Sequence, residues 1–185
     1  GGGELDYDVR FTTWESADDR RMRFSMRSYQ DGRVVEEFRG QARMPEDGGP
    51  GRATYTVPKG VEMRLPPETL FPTAHMERLI DEAAAGAAVV SAALFDGAGV
   101  GSEALTFVTA AIGDPVPPRD EIGRAWPMAL AYHALAEGGT DTPLFELSFE
   151  LSEAGVMRHV RLDYGAFALK AELERFERLS PPRCE

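Results

Sequence analysis

A single helical stripe stands in a chain that otherwise alternates between apolar and polar residues. From Leu65 to Gly97 the sequence reads LPPETLFPTAHMERLIDEAAAGAAVVSAALFDG. Met76, Leu79, Ile80, Ala83, Ala84 and Ala87 follow the i, i+3, i+4, i+7, i+8, i+11 series of one helical face. Glu77, Arg78, Asp81 and Glu82 lie off that stripe and leave the other side solvated. The spacing predicts a helix over about residues 74–85, with Thr73 as N-cap directly after Pro72 and Gly86 as its stop. A helix this short is marginal alone in water, so it must dock. The docking surface has to come from strands.

Strands are abundant. Leu5, Tyr7, Val9 and Phe11 alternate with Asp6, Asp8 and Arg10, the pattern of a half-buried strand. Ala17-Asp18-Asp19-Arg20 reads as a turn into a second strand carrying Met22, Phe24 and Met26. Asp31-Gly32 is a strong hairpin signal, because a type I′ turn needs two residues tolerant of positive φ. The third strand is expected to place Val34, Phe38, Ala42 and Met44 on one face and Arg33, Glu37, Arg39, Gln41 and Arg43 on the other. Ala53 to Val57 and Val61 to Leu65 give two short strands, ended by Pro66 and Pro67.

Beyond the helix, Ala88 to Phe95 and Ala104 to Ile112 are apolar at successive positions, the pattern of strands covered on both faces. Asp114 to Arg119 forms a proline-rich crossing loop. Ala125 to Leu135, Leu144 to Leu151 and Val156 to Tyr164 follow as strands, and alternation at Phe167, Leu169, Ala171 and Leu173 favours one more. The expectation is about ten strands and one helix in a single domain spanning residues 1–185.

Composition excludes several partners. Acidic residues outnumber basic ones, 31 to 20, for a net charge of −11. Nucleic acid and anionic bilayer surfaces repel such a chain unless a basic stripe compensates. No apolar window is long enough to make a transmembrane helix. The chain opens GGGELDYD without a signal peptide, but such leaders are removed in mature proteins, so this fixes no compartment.

The residues show no catalytic constellation. Gly97-Ala98-Gly99-Val100-Gly101 follows a strand, but a strand pattern succeeds it where a dinucleotide site needs a helix, so it reads as a hairpin loop. His75, His133 and His159 have no metal-ligand spacing, and His75 lies in the first helical turn, where the dipole disfavours a cation. No Gly-x-Ser-x-Gly elbow exists. Glu15 beside Trp14 and Asp96 beside Phe95 are weak candidates for paired acids, and Asp96-Gly97 fits a turn cap better. Cys184, near the end after Pro181-Pro182, is a poor nucleophile.

Several stretches do carry a resemblance. WESADD (14–19), LPPETLFPTAH (65–75), LFDG (94–97), AWPMALAY (125–132) and DYGAFAL (163–169), closed by Cys184, resemble the envelope-integrity protein B family of alphaproteobacterial periplasmic proteins. The likeness runs through nearly the whole chain in order. Its signature positions are Trp14, Glu15, Leu65, Pro66, Phe71, Pro72, His75, Phe95, Asp96, Gly97, Trp126, Pro127, Asp163, Tyr164 and Phe167.

The resemblance implies a mainly β fold, a long antiparallel sheet curled into a spiral or half-barrel around one helix. It implies a periplasmic, non-enzymatic protein that supports the cell envelope, without cofactor or metal. A periplasmic protein, a lipid or a peptide is the expected partner. Family members begin with further strands, so the edge at Leu5 to Phe11 is expected to be covered by a second chain, a crystal neighbour or an N-terminal fragment. They also carry an early cysteine, which implies a disulfide to Cys184. The family usually has Asp-Gly where this chain has Asp18-Asp19-Arg20, which leaves the turn type there open. Two alternatives are a lipid carrier with an open apolar concave face and an enzyme of unrecognised type. What separates carrier from scaffold is whether the helix fills the concave face.

Overall fold

Hairpin chemistry lays down the first half of the molecule. The computed structural model describes residues 6–118, 122–135 and 142–179. β1 (Tyr7–Glu15), β2 (Arg21–Gln30), β3 (Arg33–Arg43), β4 (Gly51–Val57) and β5 (Glu62–Leu65) form an antiparallel meander in that order. At the first turn Asp19 takes φ 57°, and the Ser16 hydroxyl accepts the Arg21 N–H at 3.0 Å. At Asp31-Gly32 both residues have positive φ, as the hairpin signal requires.

The helix α1 (Pro72–Ala84) follows, then β6 (Val89–Phe95), a short 3₁₀ turn (Gly101–Glu103), β7 (Leu105–Ile112), β8 (Ala125–Ala134), β9 (Phe145–Ser152), β10 (Met157–Asp163) and β11 (Ala168–Ala171). These six strands make a second antiparallel meander, ordered β11-β10-β9-β8-β7-β6. The structure thus has eleven strands among the described residues, against about ten expected. Leu5 and Arg119 lie outside the described residues, as do Pro181, Pro182 and Cys184.

Neither sheet closes on itself. They meet where Leu70 bridges to Leu94, its N–H donating to Ala93 O at 2.9 Å and its carbonyl accepting the Phe95 N–H at 3.0 Å. The fold is mainly β, a half-barrel in two pieces around one helix.

α1 docks by most of its predicted stripe, although Ala84 is exposed and Ala74 and His75 beside the stripe are buried. Leu79 and Ala83 are buried and Met76 and Ile80 partly so, against Val90, Val108, Trp126, Met128, Leu130 and Phe149 of the second sheet. Gly86 ends the helix at φ 87°, with its N–H on Ala83 O and the Ala87 N–H on Glu82 O, a Schellman arrangement.

Four expectations need correction. Thr73 is not the N-cap; Phe71 is, and it offers no side-chain acceptor. β6 and β7 are covered on one face only, leaving Val89 and Phe107 exposed; with Ala93, Thr109 and Ala111 these outer-face residues mimic a buried run. Tyr7, Val9 and Phe11 are about half exposed, since β1 extends past the core as an edge strand paired only with β2 among the described residues. Val34 does not share a face with Phe38. A bulge sets Val34 opposite Tyr29 while Glu36 opposes Ser28, so the alternation slips by one.

The two sheets share a second core of Met22, Phe24, Ala42, Ala53, Tyr55, Leu65, Phe71, Phe95 and Leu105. Phe24 is its centre. Its ring meets Tyr55 edge-on at 5.1 Å and Phe95 at 5.6 Å. A Cβ on Gly97 would lie 2.5 Å from the Phe24 ring, and one on Gly40 would lie 2.6 Å from it. Gly97 and Gly86 both have positive φ, but only Gly97 faces this crowding. Gly97→Ala is therefore expected to lower stability by about 2–4 kcal/mol, and Gly86→Ala by only about 1 kcal/mol. Urea denaturation of both variants checks this; equal losses would show that Phe24 does not depend on the gap at Gly97.

Candidate functional site

The signature residues converge on structural tasks. Glu15, the last residue of β1, reaches the helix start, where its carboxylate accepts the Thr73 N–H at 2.9 Å and the Thr73 hydroxyl at 2.9 Å. It takes the place of the missing N-cap side chain and sets a negative charge at the positive end of the helix dipole. Thr73, expected as the cap, is the group being capped. Pro72 occupies the first turn, where its lacking N–H is not missed. Leu65 and Phe71 are fully buried, and the Pro66 carbonyl accepts the Thr69 hydroxyl at 2.8 Å. WESADD and LPPETLFPTAH, 58 residues apart between Glu15 and Thr73, are one contact.

Asp96 accepts the Ala98 N–H at 2.9 Å, the turn cap expected of it. The Tyr55 hydroxyl donates to Gly99 O at 2.8 Å in the same loop. Both weak acid candidates, Glu15 and Asp96, are thus engaged in holding backbone. The glycine loop joins β6 to β7 as a hairpin. Trp126 is buried with Arg124 4.8 Å over its ring. Pro127 sits just past the end of the β7–β8 ladder, where its carbonyl accepts the Gly113 N–H at 2.8 Å. Asp163 accepts the Gly165 N–H at 2.8 Å; this bond and Arg161 hold its carboxyl below the usual range. Phe145, Tyr164 and Phe167 then stack in series from Tyr132, with centroids 4.2, 5.6 and 5.0 Å apart.

Among the described residues no three His, Cys, Asp or Glu side chains gather as a metal set, and no helix is long and apolar enough to cross a membrane. His159 contacts Glu172 at 2.7 Å.

A concave feature that the linear reading missed lies on the outward face of the first sheet. A trough of about 1240 Å³ is lined by Trp14, five arginines (21, 23, 43, 52 and 64), Met63, Pro45, Pro50 and two glutamates, Glu46 and Glu62. The register aligns Arg21 with Arg43, Arg43 with Arg52 and Arg52 with Arg64 across four strands. Arg23 lies beside this row, its guanidinium 4.4 Å over Trp14. The sequence signal was arginine at outward positions of four successive strands, but only the pairing register brings them into line.

A family model described as EipB-like matches residues 1–180. The chain belongs to the EipB-like family. It is 30% identical over 180 residues to the Cell envelope integrity protein EipB of Brucella abortus, covering 92% of this chain and 62% of that protein. The chain thus spans less than two thirds of the length of that curated relative. It is also similar to the crystal structure of a beta-barrel-like protein of a domain of unknown function from Brucella abortus. That match has a TM-score of 0.79 and 29% identity, covering 91% of this chain and 71% of that one. The family named by the resemblance and the half-barrel it implies both stand.

Two buried titratable groups flank the shared core of this family member. Burial, with Arg78 adding to it, pushes the His75 imidazole down to about 4. Unfolded, it titrates near 6.5, so from about pH 6.5 down to 4 the unfolded chain binds a proton that the folded one refuses, and stability falls with pH. Asp96 is only half-buried by area but densely surrounded, and this desolvation raises its carboxyl to about 6 against the pull of the Ala98 N–H. Its unfolded value is near 3.9, so from about pH 6 down to 3.9 the folded chain holds the extra proton and stability rises. The same environment pushes the Tyr132 hydroxyl up to about 12, by burial and then by Asp96.

The two contributions oppose each other between about pH 4 and 6. Asp96→Asn keeps the acceptor for Ala98 and removes the buried charge. It is expected to gain about 2 kcal/mol at pH 7.5 and to lose stability more steeply than wild type between pH 6 and 4. Chemical denaturation across that range checks both signs. Glu15→Ala is expected to cost about 1–2 kcal/mol, measured in the same way.

Proposed function

We propose that this chain is part of a non-enzymatic periplasmic protein that supports cell-envelope integrity by binding. Its family and its relative, the Cell envelope integrity protein EipB, support the envelope role. The observation that carries the mode of action is where the helix sits. α1 covers the apolar face of the second sheet with Leu79 and Ala83, so that face offers no open bed for an acyl chain. An open concavity lies instead in the arginine-lined trough on β2–β5. A carrier of the open-face kind is the weaker reading for that reason, because it would need α1 to leave a core in which Leu79 is 0% exposed.

The resemblance further implies a disulfide from Cys184 to an early cysteine of the family, a bond suited to the periplasm and typically contributing about 2–4 kcal/mol. The partner is a periplasmic protein, a lipid or a peptide.

Removing the gene is expected to sensitise cells to detergent and to release periplasmic proteins, and an exported full-length copy is expected to restore the barrier. Restoration by a copy retained in the cytoplasm would overturn the periplasmic reading. Unchanged resistance on removal would overturn the envelope role.

A further inference from the structure

The outward face of β2–β5 carries a feature that stability does not explain. Arg21, Arg43, Arg52 and Arg64 stand directly opposite one another in turn across four strands. Like charges in direct cross-strand pairs destabilise a sheet, and a guanidinium cannot shed its charge in water. The neighbouring row on the same face, Arg23, Gln41, Thr54 and Glu62, shows that the sheet itself has no need of arginine at every position. Compensation is thin for a chain rich in acids. Glu62 reaches Arg52 at 3.2 Å, and Glu46 at the rim is held by Arg20 at 3.0 Å. Arg43 and Arg64 make no ion pair with any described residue.

We propose that the trough binds the headgroup of an anionic lipid bearing two or more phosphate groups, with Arg21, Arg43, Arg52 and Arg64 as its anion clamp. This deepens the binding reading above and rests on it. Neighbouring strands lie about 4.8 Å apart, so the four arginines spread over about 15 Å, wider than one phosphate. Each guanidinium fork matches a pair of phosphate oxygens. Trp14, Pro45 and Pro50 give the same trough an apolar wall, which an amphiphile uses and a free oligophosphate does not. The net charge of −11 repels the chain as a whole from a continuous anionic bilayer, so the occupant is a single molecule held in the trough.

Calorimetric titration of the protein at low salt with a water-soluble short-chain diphosphatidylglycerol tests this, beside short-chain phosphatidylcholine and sodium tripolyphosphate. The diphosphatidylglycerol is expected to bind one to one, more tightly than either comparison ligand, and more weakly as salt is added. The double variant Arg43→Gln, Arg64→Gln is expected to lose about tenfold or more in affinity while its melting temperature stays level or rises, since cross-strand repulsion is relieved. Arg33→Gln, outside the trough, should bind as wild type. Undiminished binding by the double variant, a lowered melting temperature alongside lost binding, or tighter binding of tripolyphosphate than of lipid would each overturn the proposal. Such a failure, with detergent sensitivity still dependent on the protein, would remove the ligand and leave the envelope role standing.

Discussion

The fold depends on a single aromatic wedge. Phe24 leaves the first sheet from β2, passes between Gly40 and Gly97, and meets Tyr55 and Phe95 edge-on. One glycine belongs to its own sheet and the other follows β6 of the second, so the ring is the place where two meanders become one core. Among the described residues, backbone pairing between the sheets amounts to the bridge at Leu70, and two hydrogen bonds alone would not hold them in register. Side-chain burial does that work, since a large ring filling the gap left by two missing Cβ atoms excludes water from both sheets at once.

Around this wedge the molecule divides its two concave surfaces by chemistry. The second sheet gives its apolar face to α1, whose open end is held by a carboxylate from the far side of the first sheet. With that face filled, a concavity stays open on the trough of β2–β5, where arginine is concentrated against the overall acidity of the chain. The binding proposed above accordingly uses a charged outer surface and leaves α1 in place.

Much of the fold was legible in the residues. Asp31-Gly32, the alternation at Met22, Phe24 and Met26, and the stripe from Met76 to Ala87 each encode local geometry through turn chemistry or period. What failed did so for physical reasons. Val34 changed face because a bulge inserts a residue without any mark in the hydrophobic pattern. β6 and β7 looked buried on both faces because alanine, valine and threonine suit an exposed strand face as well as a covered one. Thr73 looked like a cap because nothing in the neighbouring residues reveals Glu15 arriving from β1.

By itself, the sequence determined the class of each element, the helix that must dock, and the family to which the chain belongs. These follow from local periodicity and from motifs that can be read in line. Tertiary structure alone decided that Glu15 closes the helix, that α1 fills the apolar face, and that four arginines on four strands form one row. Each of those depends on register, and register is set by the packing of distant segments around Phe24.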